Sequence, residues 1–153
     1  MDLIIVRWNS TYYMLKRFKE LKRAVRLFLQ DHKPDRNEKS FDLIRDSLTL
    51  QDWQEIDLFL DLLKSFEWLT KHLQYNPEQD DTYGAIWEVI PSLQRLFVHL
   101  EKARKAVPEH ASEYYKQCLL LGKEKLDQYW DILLHQTPYY IAATMVHPSL
   151  NLA

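Results

Sequence analysis

The sequence predicts an all-α protein: a bundle of four long helices with short helices added. Three observations lead there. Glycine and proline are scarce, at 2 and 6 of 153 residues, and turn-rich β architectures consume both. Apolar residues recur every three or four positions over four long stretches, the period of one helix face. Strand-like patterning is confined to "LIIV" near the start.

The elements follow in chain order. Residues 1–6, "MDLIIV", lack a basic leader and stop at Arg7, so they form a short apolar leader or truncated strand rather than a signal peptide or membrane span. From about Thr11 to His32, Leu15, Phe18, Leu21, Val25 and Phe28 make one stripe, with Ser10 or Thr11 as the cap and Pro34 as the stop. A short helical turn is expected around Phe41 to Arg45. The clearest helix is "LTLQDWQEIDLFLDLLKSFEWLTKHL". Thr49 and Asp52 resemble a capping box, and Trp53, Ile56, Leu60, Leu63 and Phe66 form the stripe. Phe59, Leu62, Leu69 and Leu73 widen that stripe until little of the helix can face water.

"QYNPEQDD" is a loop. A third helix runs roughly from Tyr83 to Ala106 on Ile86, Ile90, Leu93, Phe97 and Leu100, and Pro91 within it predicts a kink or a restart. A fourth spans about Glu109 to Leu134, past Tyr115, Leu119, Leu126 and Trp130. "YYIAATMVHP" closes the helical domain, residues 7–148, and 149–153 are a tail.

Composition narrows the class. Hydrophobic residues at 46% and charged residues at 27% are the balance of a soluble globular domain with one core. Cys118 has no disulfide partner and no Cys/His set has zinc-site spacing, which points to an intracellular protein. The net charge of −2 hides an asymmetry. Between Arg7 and Lys33, eight Lys/Arg face only Glu20 and Asp31; between Pro34 and Ala85, five bases face twelve acids. Either the basic face meets nucleic acid or the two segments neutralise each other within the fold.

Few residues suggest chemistry. Gly84 and Gly122 lack the companions of a phosphate loop, and Cys118 sits at an apolar helical position as inert core. Glu124, Asp127 and Asp131 share a helix face that could gather a divalent cation, but they read first as a solvated face answered by Lys123 and Lys125. Asp80 and Asp81 have no matching histidine, and His147 is a helix-end residue. Arg7 and Trp8 differ in kind. An indole at a helix mouth can stack on an unpaired base while the guanidinium holds phosphate. It can equally staple the helix to the core, and physical reasoning alone favours the staple.

"RWNSTYYML" resembles the Arg-Trp motif of hAT-superfamily (hobo/Activator-type) DNA transposases. The similarity continues in order through "LTLQDWQEIDLFLDLLKSFEWLT", "IWEVIPSLQRL" with its central proline, "GKEKLDQYW" and "TPYYIAATMVHP", covering Arg7 to Pro148. Val6 stands where that family usually has threonine. The resemblance implies the all-α insertion domain of an RNase H-like transposase, acting on transposon ends in the nucleus. It also implies that Trp8 stacks on a flipped base, which tips the reading of Trp8 toward function. Arg7 would hold phosphate, and Lys16, Lys19, Lys22, Arg23 and Arg26 would add sequence-independent attraction to DNA.

The full-length family uses divalent metal such as Mg, bound by two Asp and one Glu that lie outside these motifs. The chain is therefore expected to be a truncated or domesticated fragment that needs no cofactor and does not cut DNA by itself. The rival expectation is a helical protein-interaction module without DNA binding. There the first helix would face Asp57, Asp61 or Glu67, and Tyr139 and Tyr140 would meet a protein partner.

Overall fold

The computed structural model describes residues 8–31, 48–73 and 85–148, which are helical nearly throughout and contain no strand. The helices are α1 (Trp8–Glu20), α2 (Lys22–Asp31), α3 (Leu50–Leu73), α4 (Val89–Lys105), α5 (Glu113–His135) and α6 (Pro138–Val146), with a 3-10 turn at Ile86–Glu88. The all-α class expected from the sequence is the class observed. The leader 1–6, Arg7, Pro34, the turn expected at Phe41 to Arg45, "QYNPEQDD" with Asp80 and Asp81, Tyr83, Gly84 and the tail lie outside the described residues.

Helix boundaries follow local chemistry. The capping box at α3 is reciprocal: the Thr49 N–H and hydroxyl both donate to Asp52 Oδ2 at 2.7 Å, while the Asp52 N–H donates to Thr49 Oγ1 at 3.2 Å. The hydroxyl first, and then the backbone N–H, hold the Asp52 carboxyl below its usual range. Ser112 caps α5 by accepting from the Tyr115 N–H at 3.0 Å, so that helix begins four residues later than Glu109, where the sequence had placed it. Pro91 marks a restart. The 3-10 turn precedes α4, and proline falls in the first turn, where its missing N–H has no intrahelical acceptor to lose.

The first helix differs most from expectation. It is already helical at Trp8, so Ser10 and Thr11 lie inside its first turn rather than capping it, and it is interrupted at Leu21. The i to i−4 bonds persist on both sides of that residue, from Leu21 N–H to the Arg17 carbonyl (3.1 Å) and from Val25 N–H to the Leu21 carbonyl (2.9 Å). No proline or glycine accounts for the interruption.

The chain divides into two compact units, Met1–Asp61 and Leu62–Ala153. In unit 1, Trp53 is buried, and the Phe18 ring stacks on it at 5.3 Å between centroids and 12° between planes. In unit 2, Leu62, Leu69, Leu96, Leu100, Ala111, Tyr115, Leu119 and Leu126 form the core, with Leu119 the most deeply buried. The division between the units falls within α3, whose buried residues are Trp53 in the first and Leu62 and Leu69 in the second, while Ile56, Leu60, Leu63 and Phe66 are half-buried. α6 docks on the 3-10 turn. The Thr144 hydroxyl lies 2.7 Å from the Tyr140 carbonyl and 3.2 Å from that of Trp87, and the His147 ring stacks on Trp87 at 3.8 Å. No described helix is long and apolar enough to cross a membrane.

Candidate nucleic-acid interface

Each residue advances a helix by about 100°, so Lys16 and Lys19 lie near one another on α1, and Arg23 and Arg26 on α2, with the break at Leu21 between the two pairs. The structure treats the lysines and arginines of these helices unequally. Lys19 Nζ lies 2.7 Å from Asp57 Oδ1. Lys22 Nζ sits 4.6 Å from the centre of the Trp53 ring, in a cation–π contact with an indole already stacked on Phe18. Lys16, Arg23 and Arg26 are exposed, and among the described residues none of the three forms an ion pair. Arg17, which the sequence reading left out, pairs with Glu20 at 3.0 Å.

Of the Arg-Trp motif, Arg7 lies outside the described residues and Trp8 opens α1, with its side chain outside them too. Asn9, the next residue, buries its side-chain oxygen with no hydrogen-bond partner among the described residues. Tyr12 and Tyr13 meet edge to face at 5.4 Å and 66°. Of the acids named in the rival reading, Asp57 pairs with Lys19, Glu67 bonds Lys71 of its own helix at 2.6 Å, and Asp61 forms no ion pair among the described residues.

The other residues singled out have ordinary surroundings. Asp127 pairs with Lys123 at 3.0 Å and Asp131 with His135 at 2.9 Å, and no three His, Cys, Asp or Glu side chains among the described residues converge on a point that could hold a metal. Lys125 bonds Gln128 instead of an acid. Cys118 is half-buried, Tyr139 is exposed, Tyr140 is half-buried, and His147 buries its Nδ1 with no hydrogen-bond partner among the described residues.

Sequence reasoning missed a second constellation, in unit 2. Glu88 is buried on the 3-10 turn with its Oε1 3.5 Å from His72 Nε2; His72 stacks on Trp68 at 4.7 Å and 13°; the Arg95 guanidinium lies 5.6 Å from the centre of the Trp68 ring. Lys64, Trp68, Lys71 and His72 recur at helical spacing, a signal present in the sequence that the reading of this helix by its apolar stripe did not use.

The architecture defines an all-α chain with cationic helix faces in each unit. No family model matches it, and no solved structure does. Over 110 residues it is 31% identical to a protein of Talaromyces stipitatus named "Putative transcriptional regulator tpeD", a match that takes in 71% of this chain. The chain spans about a tenth of that relative, since the match covers 11% of its length.

Proposed function

We propose that the chain is a helical insertion domain of hAT-transposase type, or a domesticated remnant of one, that contacts DNA in the nucleus and is not catalytic by itself. The observation that carries this reading is the set Lys16, Arg23 and Arg26, exposed on α1 and α2 without acidic partners among the described residues. Exposed cations with no acidic partner are the ones that gain by displacing the counterions of a phosphate backbone. The motif order from "RWNSTYYML" to "TPYYIAATMVHP" supports the ancestry, and the residues that would carry the family's catalysis fall outside those motifs. The Talaromyces relative, by its name a regulator of transcription, is in keeping with a chain that works at DNA.

The test is a fluorescence-anisotropy titration of a DNA duplex, comparing the wild type with Lys16→Gln/Arg23→Gln/Arg26→Gln across a range of salt. Losing three phosphate contacts lowers the slope of log affinity against log salt by about 2.7, at about 0.9 per contact. Lys19→Gln, whose ammonium is already answered by Asp57, shifts it less. A triple variant with the wild-type slope overturns the assignment.

A second reading has one specific observation behind it. Besides the Lys19–Asp57 pair, unit 1 has an apolar hollow of about 620 Å³ that includes Met14, Phe18, Leu21 and Ile56, of the kind a protein partner can fill. Under that reading the wild type fails to bind DNA even at low salt.

A further inference from the structure

We propose that unit 2 carries its own phosphate-binding surface, centred on Arg95 and Lys102 of α4, for the backbone of a nucleic-acid strand. This goes beyond the α1–α2 reading and does not rest on it.

The carboxylates of residues 62–73 and 86–105 are Glu67, Glu88 and Glu101. Glu67 holds Lys71 at 2.6 Å, Glu88 holds His72 at 3.5 Å, and Glu101 holds Arg104 at 3.1 Å. Asp127 of the neighbouring α5 holds Lys123 at 3.0 Å. Arg95 and Lys102 are exposed, and neither forms an ion pair among the described residues. Both line a groove of about 490 Å³ on α4, whose described walls add Pro91, Gln94, Val98 and His99 and include no carboxylate.

Arg95 is also prepared for an anion. Its guanidinium rests over Trp68, Trp68 is stacked on His72, and His72 Nε2 lies 3.5 Å from Oε1 of the buried Glu88. Such a buttress reduces the freedom lost on binding and leaves the planar fork of N–H donors available for phosphate oxygens. His99 is engaged by the backbone: its Nε2–H donates to the Leu62 carbonyl at 3.1 Å, since a carbonyl can only accept. With His72 on its ring and Arg95 above it, Trp68 serves here as a support for the cation rather than as a platform for a base. The contact is therefore to phosphate and independent of sequence.

Spacing suits the assignment. Seven residues of α-helix separate Arg95 from Lys102 by about 10 Å along the axis. At about 3.4 Å of rise per phosphate on one strand, that span takes in about three nucleotides.

The experiment uses the full chain carrying Lys16→Gln/Arg23→Gln/Arg26→Gln, so that α1 and α2 contribute least, with labelled oligo(dT) as the probe. Adding Arg95→Gln/Lys102→Gln should lower the salt slope by about 1.4, at about 0.7 per contact to a single strand, and weaken binding at moderate salt by about tenfold or more. Lys102→Gln alone, which disturbs no described ion pair or ring contact, should remove about half of that slope, and Arg95→Lys, which keeps the charge, should retain most of it. Unchanged slope and affinity in the double variant overturn the proposal. So does capture by phosphatidylserine vesicles without binding to oligo(dT). Failure of the α1–α2 reading appears separately, as a triple variant that binds duplex like the wild type.

Discussion

At the residue scale, identical side-chain types acquire different roles from what lies beside them. Lys16 and Lys19 are three positions apart, yet Asp57 answers one and leaves the other to solvent. The same logic governs Asp52, whose carboxylate accepts from the hydroxyl and N–H of Thr49. Because its folded pKa lies below the unfolded one, its contribution to stability is full above the unfolded value of about 4 and is lost as pH falls through the depressed folded value. Thr49→Ala should lower stability at neutral pH by about 1 kcal/mol and flatten this acid-limb dependence, measured by urea denaturation at a series of pH values. An unaltered acid limb in the variant would show that Asp52 is not the titrating cap.

At the scale of elements, α5 contains a glycine where a helix has no need of one. Gly122 is half-buried, and a Cβ added there would meet the Leu100 methyls at 3.9 and 4.0 Å, ordinary van der Waals contact. Gly122→Ala should therefore raise stability by about 0.5–1 kcal/mol through helix propensity, read as a higher denaturation midpoint with an unchanged m-value. A drop in the midpoint would mean that α4 and α5 cannot accept the methyl group.

The helices themselves were legible because their cause is local. Thr49 with Asp52, Pro91 near a start and the stripe of Tyr115, Leu119 and Leu126 each declare themselves within a turn or two. The break at Leu21 was not legible, since nothing in its neighbourhood forbids a helix. Nor was the division of α3 between two units, because a stripe of Ile56, Leu60, Leu63 and Phe66 reports periodicity and not which neighbours arrive. The candidate site was half legible. Composition located the basic segment, but only tertiary contacts could remove Lys19 and Lys22 from the free charges, and only they could assemble Glu88, His72, Trp68 and Arg95 from separate stretches of chain.

At the scale of the whole molecule, a chain of net charge −2 has little long-range attraction for a polyanion, so affinity for DNA must come from local cationic faces. Two such faces exist, one on α1–α2 and one on α4, each with cations that no described acid answers. The most direct measurement of the central claim is anisotropy with a DNA hairpin bearing one unpaired base at its tip, at low and moderate salt, for the wild type and Trp8→Ala. Binding by the wild type that weakens as salt rises, and weakens by a further 1–3 kcal/mol (about 5- to 150-fold) in Trp8→Ala, is the predicted result. A wild type that does not bind the hairpin at low salt, or binds it equally well at both, would contradict the account.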